Sequence, residues 1–144
     1  PLYRQKAMDM VYFAGNIAYG YDLPCMIENP VSVISSEWRK PDYTFHPYEY
    51  GGYLPADDES SHDLIPAHDA YTKKTCLWVK NGHRVEFHMP EKRPVELPTD
   101  YKYSPQHLKL GGKSLKTKNI RSATPRGFAI AIWQANREGN LSTL

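Results

Sequence analysis

The chain reads as an α/β layer structure built on a partial, Rossmann-like sheet of about three to four strands with flanking helices. Three observations predict this. Residues 3–21 repeat apolar side chains at helical spacing, and residues 25–27, 43–46 and 75–79 are short β-rich runs bounded by turn formers. A proline-led segment after Thr124-Pro125 then returns to helical spacing. The 144 residues amount to a single domain, and 40% hydrophobic with 24% charged residues is ordinary for a globular chain.

In the first helix, Tyr3, Ala7, Met10, Val11, Ala14, Ile17, Ala18 and Tyr21 fall on one face. Gly15 within it costs on the order of 1 kcal/mol relative to Ala, which suits a close helix–sheet contact. Asp22-Leu23-Pro24 stops that helix. Cys25-Met26-Ile27 follows as an apolar run without alternation, the pattern of a strand covered on both faces. Residues 31–34 fit a helical turn or an extended segment equally. A second strand spans 43–46, between Lys40-Pro41-Asp42 and Pro47.

Gly51-Gly52 and Pro55 open a loop that runs to about His68. The third strand, 75–79, ends at Asn81-Gly82. Residues 83–105 read as irregular, with 84–88 (Arg84 to His88) the one further strand candidate, and 106–124 as a basic, polar connection. Phe128, Ala129, Ile132, Trp133 and Ala135 form the last helix, with Pro125 near its start where proline is favoured. A strand apolar on both faces requires neighbours on both edges. This chain supplies few, so the exposed edge calls for a partner, a second copy, or a missing half of the same sheet.

The net charge of +2 hides an asymmetry. Residues 41–72 hold no Lys or Arg and seven acidic groups, whereas 101–137 hold no Asp or Glu and eight basic groups. Such a basic run is either a solvated face or a phosphate-facing surface for nucleic acid. No stretch approaches the roughly 20 apolar residues that span a bilayer. There is no charged-then-apolar leader, so a cytoplasmic location is expected. Cys25 and Cys76 lie in apolar, strand-like contexts, which fits buried free thiols in a reducing compartment. The chain opens at Pro1 rather than methionine, as a processed product or a piece of a longer protein would.

Glu28-Asn29-Pro30 puts a carboxylate and an amide at the carboxyl end of the apolar run 23–27, where open α/β sheets place their ligand chemistry. Taken alone, the same tripeptide is a strand-end turn with Asn before Pro. Trp38-Arg39-Lys40-Pro41-Asp42 can hold a phosphate or stack on a base, or can be a surface turn.

The string IENPVSVISSEWRKPDYTFHPYEYGG, resumed after an insertion by YTKKTCLWVK, resembles the second half of small phage and bacterial DNA (cytosine-5) methyltransferases. Arg121-Ser122-Ala123-Thr124-Pro125-Arg126-Gly127 matches the same family, so the resemblance covers about residues 2–137 outside an acidic insertion at about 52–68. It implies catalytic roles for Glu28 and Asn29, with the Glu28 carboxyl group gripping the Watson–Crick edge of a flipped cytosine. Pro30, where larger relatives have Val, points to the small phage-type members. The resemblance also implies DNA contacts by Arg39, Lys40, Lys73, Lys74, Lys116, Lys118 and Arg121.

What this half lacks is equally informative. The family's nucleophilic cysteine lies well upstream of the Glu-Asn motif, whereas Cys25 precedes it by three residues, inside the strand. No glycine-bearing strand turn for the methyl donor precedes residue 23. The chain is therefore expected to be inactive by itself, and S-adenosylmethionine to bind only if an N-terminal half completes the fold. The expected partners are DNA and either that half or another copy, with a phage or prophage origin and no membrane.

Two readings from other classes stay open. One is a non-catalytic DNA-binding module, dimeric and using the basic 101–137 segment. The other is a metal-dependent hydrolase built on His62, His68 and Asp69 with Asp57, Asp58 and Glu59, although an acidic disordered loop is the plainer account of that segment. Gly112-Lys113-Ser114 resembles the end of a phosphate-binding loop, but His107 stands where that pattern needs glycine.

Overall fold

The computed structural model describes residues 2–60, 62–83, 85–109 and 114–137. The chain is mixed α/β, with the elements α1 (Leu2–Gly20), β1 (Cys25–Pro30), α2 (Ile34–Glu37), β2 (Tyr43–Phe45), β3 (Thr75–Lys80), α3 (Pro105–Lys109), α4 (Leu115–Ser122) and α5 (Arg126–Asn136). Its described residues divide into two compact units, one drawn from 2–44, 75–89 and 136–137, the other from 45–74 and 90–135. No helix among the described residues is long and apolar enough to cross a membrane.

In the first unit the sheet order is β1-β3-β2, and β1 runs antiparallel to β3 from Cys25 opposite Lys80 to Pro30 opposite Thr75. The residues of β3 explain its central place. Thr75, Cys76, Leu77 and Trp78 are all buried, and β-branched and aromatic side chains suit a strand covered on both sides. Every residue of β1, by contrast, is half-buried. The run 25–27 is thus not the doubly covered strand its composition suggests; it forms the edge, and β3 is the covered strand. β1 also runs on through Glu28, Asn29 and Pro30, so the Glu-Asn pair sits within the strand rather than beyond it.

Cross-strand neighbours share a face, which puts Ile27 beside Trp78. On that face Met8, Val11, Ile34, Cys76 and Trp78 form the core, with Ile27, Val33 and Trp38 packed against it. The stripe of α1 that meets the sheet is therefore Met8, Val11 and Ala18. Met10 and Tyr21, expected on the buried face, are 74% and 76% exposed. Two apolar stripes compete on this helix, and the sheet takes the one centred a residue away. Residues 31–34 resolve into the approach to α2.

Among the described residues of 84–88 there is no strand, and Arg84 lies outside the described residues. The backbone there is satisfied differently. The Asn136 carboxamide donates to His88 O at 2.9 Å and accepts from His88 N at 2.8 Å, and Asn81 Oδ1 accepts from Phe87 N.

The second unit is built around aromatic rings. Phe45 stacks on Phe128 with centroids 4.0 Å apart, and Tyr50 meets both edge-on at 5.4 and 5.1 Å. The first turn of α5 packs against the 3₁₀ helix Pro47–Tyr53 so closely that a Cβ on Gly127 would collide with the Tyr50 carbonyl.

The acidic insertion is not a loose loop. Ile65 N donates to His62 O, and Ser60 Oγ donates to His62 O and Ile65 O. A second 3₁₀ turn, Ala67–Asp69, follows, with His68 and Asp69 both at positive φ. Arg126 then ties the segment to α5. Residues 106–124 are likewise more than a connection, since they hold α3 and α4. The Ser114 side chain caps α4 by accepting from Thr117 N at 3.2 Å.

Candidate functional site

Glu28 and Asn29 line a cavity of about 450 Å³ in the first unit. Its apolar wall comes from α1, through Ala7, Met10, Val11 and Ala14, and its polar groups come from β1 and the turn after it. An apolar cleft with a few convergent polar groups is the usual form of a small-molecule pocket, and the size lies within the roughly 300–1,000 Å³ such pockets span.

The local sequence explains the geometry. Pro30 ends the strand because it has no N–H to continue the ladder. The chain then turns, and Ser32 comes back against Asn29. Asn29 Nδ2 donates to Ser32 Oγ at 2.7 Å and to Pro30 O at 3.0 Å, which fixes the plane of the carboxamide. Ser32 Oγ in turn accepts from Ile34 N at the start of α2. Glu28 and Asn29 are successive strand residues, so their side chains leave opposite faces of β1, and both residues border the cavity. Sequence reading missed Ser32 and the α1 wall. A hydroxyl three residues after Asn, across a proline, was the available signal for Ser32.

A second cavity of about 260 Å³ lies in the same unit, lined by Tyr19, Cys25, Trp38, Arg39, Asp42 and Trp78 among others. Arg39 is held there by its own chain. Its Nη1 donates to Asp42 Oδ1 at 2.8 Å, its Nη2 to Val79 O at 3.0 Å, and its guanidinium lies 4.9 Å from the Trp38 ring centre. The Arg39 hydrogen bond, helped by Val79 N–H and against the effect of burial, holds the Asp42 carboxyl below the usual carboxylate range. Arg39 thus has a structural occupation that its sequence context did not disclose. Lys40, beside it, is exposed.

The remaining basic residues belong to the second unit. Lys74 is exposed, whereas Lys73 Nζ donates to Ala123 O at 3.1 Å and so caps the carboxyl end of α4. Lys118 and Arg121 stand on exposed positions of α4. Lys116 belongs to α4, but its side chain lies outside the described residues. Near Lys74, burial pushes the His46 imidazole below its ordinary value; Glu49 opposes this, and Lys74 and Lys92 add to it. Burial works to raise the Glu49 carboxyl, yet its bonds with Lys92 Nζ (2.6 Å) and His46 N (2.6 Å) bring it below the ordinary value.

Two carboxylates of the acidic region, Asp58 and Asp69, are engaged chiefly by the first turn of α5. Asp58 accepts from both Nη atoms of Arg126 and from His68 N, and Asp69 accepts from Arg126 Nε and Gly127 N. His62 Nδ1 accepts from Leu64 N. Among the described residues, no group of three or more His, Cys, Asp or Glu is placed to hold a metal ion. Gly112 and Lys113 lie outside the described residues, and Ser114 serves as a helix cap. Cys76 lies in the core and Cys25 is half-buried on β1.

No protein-family model, curated protein or solved structure matches this chain.

Proposed function

We propose that this chain is the base-recognition and DNA-binding half of a DNA cytosine methyltransferase, acting in the cytoplasm of a bacterium or phage-infected host. The observation that carries the reading is the joint position of Glu28 and Asn29 on one cavity beside an edge strand. A carboxyl group there can share a proton with ring N3 of an extruded cytosine and accept from its exocyclic amine. The charge that develops when a nucleophile adds to the ring is then met by a group already in place. Asn29, braced by Ser32, supplies a fixed amide on the other side of the strand.

β1 is an edge of the sheet, and α1 leaves Leu2, Met10, Phe13, Ile17 and Tyr19 exposed. An open strand edge and exposed apolar helix residues in one unit suit addition of the missing half of a Rossmann-like methyltransferase sheet, which would bring the thiolate. The residues present do not suit S-adenosylmethionine. Residues 2–20 ahead of β1 are one continuous helix, so no glycine-bearing strand turn is offered there. No step through the methyl donor is therefore assigned to this chain.

The test is binding of a duplex carrying one unpaired cytosine, compared with the same duplex carrying an unpaired thymine. Glu28→Gln is expected to erase the preference while leaving affinity for the fully paired duplex unchanged. Equal affinity of the wild-type chain for both bases removes the reading. A DNA-binding module without base selection would instead show only steep salt dependence, carried by Lys74, Lys118 and Arg121.

A further inference from the structure

A third cavity, of about 500 Å³, lies in the second unit and has no part in the cytosine site. Pro98, Asp100, Tyr101, Lys102, Tyr103 and Leu108 line it. Its two tyrosines differ in how they are held. The Tyr101 hydroxyl accepts from Thr72 N at 2.8 Å and lies 3.0 Å from Thr72 Oγ1, which locks the ring in place. Tyr103 stacks on the His107 ring, with centroids 5.1 Å apart and planes 28° apart, and still remains 58% exposed. A large aromatic ring left that open, backed by a second ring, is a ready platform for another flat group.

The charge around the groove narrows the choice of flat group. From Tyr101 to Arg137 the sequence has no acidic residue; Lys102, in the lining, and Lys109, at the end of α3, are both exposed. The one carboxylate of the lining, Asp100, disfavours a phosphate inside the groove but accepts hydrogen bonds from amino or ring N–H groups. A polyanion whose phosphates stay at the lysine rim while an uncharged ring enters meets both conditions, and nucleic acid is such a molecule. Successive bases stacking on aromatic side chains beside a basic track is the general design of single-strand binding surfaces.

We infer that this groove is a nucleobase-stacking subsite, in which a single-stranded base lies on Tyr103 next to the fixed ring of Tyr101 while Lys102 and Lys109 meet the flanking phosphates. The inference rests on the reading that the chain handles DNA, but not on Glu28 or on cytosine.

The experiment measures binding of the full chain to a labelled 12-nucleotide oligothymidylate and to an abasic strand of equal length and charge. The base-bearing strand is expected to bind about tenfold more tightly. Tyr103→Ala should abolish that difference and Tyr103→Phe should retain it. Tyr103 is exposed, so circular dichroism of the Ala variant should match wild type. Equal affinity of the wild-type chain for both strands overturns the proposal, as does an unchanged difference in Tyr103→Ala. Tyr103-dependent binding of a proline-rich peptide, with no base dependence, also overturns it and assigns the groove to peptide. Failure here with a Glu28-dependent preference for unpaired cytosine leaves the methyltransferase reading standing. A Tyr103-dependent base preference without any Glu28 effect does the reverse.

Discussion

Arg126 and Asp58, 68 residues apart in sequence, meet through two parallel hydrogen bonds, Nη1 to Oδ1 at 2.8 Å and Nη2 to Oδ2 at 2.9 Å. The same guanidinium sends Nε to the fully buried Asp69, whose other oxygen accepts from Gly127 N at 2.9 Å. Asp69 thereby acts as a distant cap for the first turn of α5, and the arginine bridges two carboxylates at once. Removing Asp69 leaves a buried amide and part of a guanidinium without their acceptor. Asp69→Ala is expected to lower unfolding free energy by about 2–4 kcal/mol in urea titrations.

Acid should act through Asp58. The Arg126 hydrogen bonds, working against burial and helped by His68 N–H, hold its carboxyl below the ordinary 3.8. A carboxyl depressed in the folded state stabilises the fold above its unfolded value, and that contribution is lost as pH falls through the folded value. Stability should thus be flat near neutrality and decline below about pH 4. Arg126→Met should be less stable at pH 7 and decline less steeply on acidification, as read from urea midpoints at a series of pH values.

Base should act through Tyr50. Burial, with help from the Glu49 charge and Tyr53, pushes its phenol up to about 12 from the ordinary 10. A raised folded-state value adds stability that is complete below the unfolded value and disappears as pH rises through the folded one. In an ultraviolet titration Tyr50 should ionise near pH 12, and the fold should weaken between about pH 10 and 12. Tyr50→Phe should remove that step of the titration.

The adjacent lysines Lys73 and Lys74 should separate by role. Lys73→Met removes the donor to Ala123 O and should cost about 0.5–1 kcal/mol of stability. Lys74→Met, at an exposed position, should leave stability unchanged. If it touches a DNA phosphate, the variant should reduce the slope of log affinity against log salt by about 1. An unaltered slope excludes Lys74 from the contact.

How far the sequence could be read depends on whether the deciding physics is local. α1 was legible from its period, but Met8/Val11/Ala18 and Ala7/Met10/Ala14 are both apolar stripes, and only the sheet chooses between them. β3 was legible because its buried run is uninterrupted. β1 was misplaced as a covered strand because Cys25-Met26-Ile27 reports hydrophobicity and not the number of neighbours. α4 follows a Ser114 cap that could have been read, whereas lysines and polar residues masked its short apolar face. Arg126 with Asp58 and Asp69 could not have been anticipated, since nothing local marks pairs so far apart in sequence. Glu28 and Asn29 were singled out from their string, whereas the cavity they border depends on the α1 wall, which that string does not contain.

Pro24 precedes β1 and Pro30 closes it, and neither ring nitrogen can donate a hydrogen bond. Any strand laid along that rim can add a ladder only across the five residues from Cys25 to Asn29. Such a short register discourages the runaway stacking that leads to fibrils, while remaining long enough for one chosen neighbour. The two imino acids thus bound the length over which β1 can take on a neighbour.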